Sequence, residues 1–103
     1  MSGKLLIIKA KTISENHLTN ADGDILFNAI HRNLEQGTYV VVSFKGLAYL
    51  NSSYINSALI QLLDHHSFET IKTNVSFVDS TRQINSLIKN SFHYQTTRGE
   101  YVQ

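Results

Sequence analysis

The stretch Tyr39–Leu63, YVVVSFKGLAYLNSSYINSALIQLL, decides the fold. Val40, Val41, Val42 and Phe44 form a short β-branched and aromatic run closed by Gly46. That pattern predicts a strand covered on both faces, as in a parallel sheet. Asn51, Ser52 and Ser53 follow Leu50, three residues in a row of the types favoured at helix N-caps. Ile55, Ala58, Leu59, Leu62, Leu63 and His66 then recur at helical spacing, which predicts one continuous amphipathic helix face. Asn51–Ser53 therefore sits where a strand delivers the chain to a helix N-terminus. In open α/β sheets that end of the strand is where ligands and partners are met.

Upstream, Lys4–Lys11 reads as a first strand, with Leu5–Ile8 apolar throughout, and Thr12–Asn20 has no clean period and reads as a loop. Asn20, Asp22 and Asp24 offer caps and negative charge for a helix from Asp22 to Gln36, striped by Leu26, Phe27, Ile30 and Leu34 and stopped at Gly37. The central strand spans Thr38–Lys45.

Downstream, His65–Thr70 ends the second helix and turns. Val75, Phe77 and Val78 mark a strand over Lys72–Asp79. Ser80-Thr81-Arg82-Gln83 matches a capping box, with Gln83 reaching back to the Ser80 amide. Its helix continues through Ile84, Leu87, Ile88 and Phe92. His93–Gln103 is polar and aperiodic, and reads either as a short edge strand with Tyr94 packed inward or as a mobile tail. The order β-α-β-α-β-α predicts right-handed crossovers and a small, mainly parallel or mixed sheet, an α/β fold. The 103 residues make one domain, residues 1–103.

Composition excludes several classes of function. A net charge of +1 with scattered Lys and Arg gives no footprint for nucleic acid. The apolar run Leu5–Ile8 is too short for a signal-peptide core or a membrane span, so no membrane association is expected. The absence of Cys removes disulfides and thiolate chemistry and fits a cytoplasmic location. The glycines make neither a G-x-G-x-x-G nor a P-loop spacing, so no cofactor is expected.

Candidate chemistry converges on the central loop. Ser52 and Ser53 lack the G-x-S-x-G elbow, and none of the five histidines is placed near them by the sequence, so no catalytic residue is assigned. Capping is the commonest use of Asn51 or Ser52 at such a site; a phosphorylation or docking role is the alternative. His65 and His66 are adjacent and do not converge as i, i+4 ligands do, so no metal site is assigned. Asp79 ends a strand, a position used for phosphoacceptor or metal chemistry in some α/β folds, but a lone Asp beside a capping serine is more often structural. Tyr49 and Tyr54 flank the polar loop; aromatic residues there suit a protein contact, and ordinary packing against the sheet is the equal alternative.

These residues carry a resemblance. The strand Val40–Phe44, the Gly46-Leu47 turn, Asn51-Ser52-Ser53 and the helix Ile55–Leu63 resemble the STAS domain family, the fold of bacterial anti-sigma-factor antagonists. They are closer still to a STAS-like variant group of unassigned function. In the antagonists the loop reads Asp-Ser-Ser/Thr-Gly and its second hydroxyl residue accepts phosphate from a partner kinase; the matching position here is Ser53. Asn51 stands in place of the Asp and Tyr54 in place of the Gly. The resemblance implies a non-enzymatic bacterial regulatory module. It would dock a protein partner, an ATPase-type kinase or regulator, through Tyr49, Asn51, Ser52, Ser53, Tyr54 and Ser57. A small-ligand or nucleotide sensor using the same strand-end crevice is the other reading.

Overall fold

A computed structural model describes residues 3–13 and 19–101. The elements are β1 (Leu5–Lys9), α1 (Ala10–Ile13), α2 (Asn20–Glu35), β2 (Tyr39–Ser43), α3 (Ser52–Ala58), a 3-10 segment (Ile60–Asp64), α4 (Phe68–Asn74), β3 (Val75–Val78) and α5 (Arg82–Tyr101). The three strands form one parallel sheet in the order β1-β2-β3, with Leu5 opposite Tyr39 and Val40 opposite Val75. This is the α/β fold that the alternation predicts.

The strand order has a consequence for burial. Each new strand is added on the same side of the last, so right-handed crossovers put the intervening helices on one face of the sheet. Val40, Val42 and Phe44 on that face are fully buried, and Ile8 and Val75 nearly so. The opposite face carries Leu5 and Ile7, 59% and 57% exposed, with Val78 exposed and Tyr39 and Val41 half-buried. The expectation that the central strand is covered on both faces is therefore corrected in part: one face is sealed, while on the other Tyr39 and Val41 are only half-buried and Ser43 is buried.

The core lies between the inner face and the helices. Leu26 and Ile30 of α2, Tyr54, Ile55 and Ala58 of α3, Leu59 and Leu62 beyond it, and Ile84 of α5 are fully buried. Each fully buried large apolar side chain contributes roughly 1.5–3 kcal/mol. Gly23 sets the closeness of α2 to α3. A Cβ placed there would lie 2.7 Å from both Ser57 Cβ and the Tyr54 carbonyl oxygen, so only glycine lets the two helices meet at backbone contact.

Several expected boundaries move. Ala10–Ile13 is a helical turn rather than the end of the first strand, and residues 14–18 of the expected loop lie outside the described residues. Thr19, not Asn20 or an aspartate, caps α2: its hydroxyl accepts from the Asp22 amide at 3.2 Å. The long helix face from Ile55 to His66 is not one α-helix. The α-helix ends at Leu59 and the chain continues as a 3-10 segment, in which apolar residues three apart still meet the core. The expected turn at His65–Thr70 instead contains the start of α4, capped by Ser67, whose hydroxyl accepts from the Thr70 amide at 3.1 Å.

The end of the chain differs most. Residues 93–101 are neither an edge strand nor a tail but the continuation of α5, and Tyr94 is exposed rather than packed inward. Thr96 and Thr97 donate to the carbonyls of Phe92 and His93 at 2.8 and 2.6 Å, which satisfies their hydroxyls inside the helix. Residues 102 and 103 lie outside the described residues.

Candidate functional site

The site is the chain between β2 and α3, together with the segment of α5 that holds it. Phe44 continues the β2–β3 pairing through its amide to the Val78 carbonyl at 3.0 Å. The chain then turns at Gly46, whose φ of 87° lies in the left-handed region, and the Leu47 amide donates back to Phe44 at 3.0 Å. Beyond the turn, α5 takes over. Thr81 donates its hydroxyl proton to the Ala48 carbonyl at 3.0 Å. The Gln83 amide clamps Leu50 from both sides, accepting from its N–H at 3.1 Å and donating to its carbonyl at 2.9 Å. Leu50 itself is fully buried.

Gln83 therefore does not reach back to Ser80, and Ser80 is not the cap of α5. The Ile84 amide donates to Thr81 Oγ1 at 3.3 Å, while the Ser80 hydroxyl donates to Asn85 Oδ1 at 2.6 Å. The cap falls one residue later than expected, and two residues before it Asp79 takes the left-handed conformation, φ 56°, uncommon for a non-glycine residue. Asp79 accepts from Ser43 Oγ at 2.7 Å, tying the ends of β2 and β3 together, as its structural reading anticipates.

The loop ends at Asn51, whose side-chain oxygen accepts from the Tyr54 amide at 3.0 Å and caps α3. Capping is thus the role of Asn51. Ser52 and Ser53 fall in the first turn, both exposed, and Tyr49 is 59% exposed on the approach. Tyr54 is the clearest correction. Its ring is fully buried, and burial, with the nearby Asp22 charge, pushes its phenol up to about 12. It packs the core and presents no ring to a partner. Ser57 is half-buried and turned to α2, donating to the Asn20 carbonyl at 2.8 Å and to Asp24. Hydrogen bonds from Ser57 and from Gln61 hold the Asp24 carboxyl below the usual carboxylate range. Of the six residues expected to meet a partner, Tyr49, Ser52 and Ser53 are exposed, Asn51 is a half-buried cap, and Tyr54 and Ser57 turn inward.

A second group of side chains escapes sequence reasoning. His31 on α2 and His66 after the 3-10 segment share a hydrogen bond, Nδ1 to Nε2, at 2.9 Å. His31 Nε2 lies 3.6 Å from Glu35, and His31 and His65 stack obliquely with ring centroids 4.6 Å apart. Burial and then the neighbouring His31 hold His66 below the ordinary histidine value. Among the described residues no group of three or more His, Cys, Asp or Glu side chains is placed to hold a metal. No helix among them is long and apolar enough to cross a membrane.

A family model described as a STAS-like domain of unknown function (DUF4325) matches residues 22–85, more than half of the chain, from the start of α2 into the first turn of α5. The chain belongs to the STAS-like family. The match takes in β2, the Gly46–Asn51 loop, α3, and Thr81 and Gln83, which hold the loop. No curated protein and no solved structure matches the chain.

Proposed function

We propose that this STAS-like domain is a non-enzymatic regulatory module that binds a protein partner through the rim formed by Tyr49, Ser52 and Ser53. The observation that supports the reading most is an exposed aromatic ring, Tyr49, and two exposed hydroxyls, Ser52 and Ser53, on either side of a strand-to-helix junction pinned at Ala48 and Leu50 by Thr81 and Gln83. A fixed loop with an exposed tyrosine binds at low entropic cost. The partner in this reading is an ATPase-type kinase or regulator in the bacterial cytoplasm, and Ser53 is the position at which a phosphate would switch the contact.

The test is capture from a lysate of the source cell followed by calorimetric titration of the protein recovered. Tyr49→Ala should weaken binding at least tenfold, and Ser53→Asp should do the same by placing charge on the rim. Circular dichroism serves as the folding control. A partner that binds both variants as it binds the parent chain overturns the assignment of this rim.

A further inference from the structure

A cavity of about 410 Å³ opens between α4, α5 and the start of β3, within the size range of small-molecule sites. Ile71, Val75 and Phe92 form its floor and are buried; Phe68 and Phe77 form half-buried walls. Phe68 and Phe92 face each other with ring centroids 5.5 Å apart. The mouth is cationic. Lys72 on α4 and Lys89 on α5 both line it, and the Lys72 ammonium lies 5.5 Å from the centroid of the Phe68 ring. No acidic side chain lines the cavity, and among the described residues neither lysine has a carboxylate partner.

An apolar interior with two cations at its entrance selects one class of small molecule. A neutral apolar ligand would gain nothing from the two solvated lysines, and an inorganic anion would leave the aromatic walls unfilled. We propose that this cavity binds a small amphipathic carboxylate, an alkyl or aryl acid whose apolar body lies among Phe68, Phe77 and Phe92 and whose carboxylate meets Lys72 and Lys89. The site is separate from the Tyr49–Ser53 rim. It borders the beginning of β3, whereas the rim follows the end of β2, and the proposal stands whether or not the rim binds a protein.

The experiment is an NMR titration of the whole chain with decanoate kept monomeric, beside decanol and decylammonium at the same concentrations. Decanoate should give saturable shifts centred on Phe68, Phe77 and Phe92, and should bind at least tenfold more tightly than either of the others. The Lys72→Gln/Lys89→Gln variant changes two exposed side chains; it should keep the parent melting temperature and lose tenfold or more of the decanoate affinity while its affinity for decanol is unchanged. Equal binding of decanoate and decanol overturns the assignment of ligand class. Shifts that do not saturate, or that centre elsewhere, overturn the site.

Discussion

The two faces of the sheet are built from the same kinds of residue and have opposite fates. Val40, Val42 and Phe44 look inward and are sealed by helices; Leu5, Ile7 and Val78, no less apolar, look outward and are exposed. Hydrophobicity alone does not explain the difference. The strand order does: a sheet that grows in one direction through right-handed crossovers receives its helices on one side. Burial in this domain is thus assigned by connection before it is assigned by side chain.

The comparison is tested most severely in the covered layer. Leu59 is fully buried where α3 gives way to the 3-10 segment. Leu59→Ala should cost about 2–5 kcal/mol, read as a shift in the urea midpoint. A smaller loss would mean that the break in the helix lets the core collapse around the missing side chain. Gly23→Ala tests the same layer from the opposite direction. The added Cβ meets the α3 backbone, which cannot move aside as a side-chain tip can, so about 1–3 kcal/mol should be lost. An unchanged midpoint would show that α2 and α3 can separate freely.

The next effect lies at the rim of the helical layer. Thr81→Ala should cost about 1 kcal/mol through loss of the α5 cap, and Ser80→Ala distinctly less, because Thr81 and not Ser80 accepts from the helix amide. The reverse order would restore the cap to Ser80. Acid titration probes the edge between α2 and the 3-10 segment. His66 is held below its ordinary value of 6.5 in the folded chain. As pH falls below 6.5 the unfolded chain therefore takes up a proton that the folded one refuses, and stability drops until His66 protonates in the fold as well. His66→Gln should flatten that stretch of the stability profile. The smallest effect belongs to the bare face: Ile7→Thr should stay within about 0.5 kcal/mol. A loss as large as that of Leu59→Ala would show that the outer face is covered in solution.

Much of this fold is legible in the residues, and the failures have particular causes. The Val40–Phe44 run announces itself by the unbroken β-branched residues Val40–Val42, and the α2 stripe by a clean helical period from Leu26 to Leu34. The segment Phe68–Asn74 does not, because a helix of seven residues offers few apolar positions to repeat. Its one local signal is the Ser67 cap. The end of α5 carries no apolar stripe beyond Phe92, since side chains such as Tyr94 face solvent, and a polar helix leaves no period to read. At the site, a cap is readable from the residue types of Asn51, Ser52 and Ser53, and the structure assigns it to Asn51. The inward turn of Tyr54 is not, since a tyrosine suits an interface and a core alike. Nor is the Gln83 clamp, which joins residues distant in sequence and suits a capping box equally well. The His31–His66 contact fails for the same reason, as it joins α2 to the turn before α4 across 35 residues of sequence.

The parallel register carries a consequence in time. Leu5 must find Tyr39 and Val40 must find Val75, so no pair of strands is joined by a hairpin that could form by itself. Every sheet hydrogen bond waits on closure of a loop that contains at least one helix, and the entropy of that closure is lost before the ladder returns any of it. The hydrogen bonds within a helix such as α2 are local and need no such closure. For so small a chain, folding should be slow, and a chain still waiting for its sheet displays Val40–Phe44 in the open.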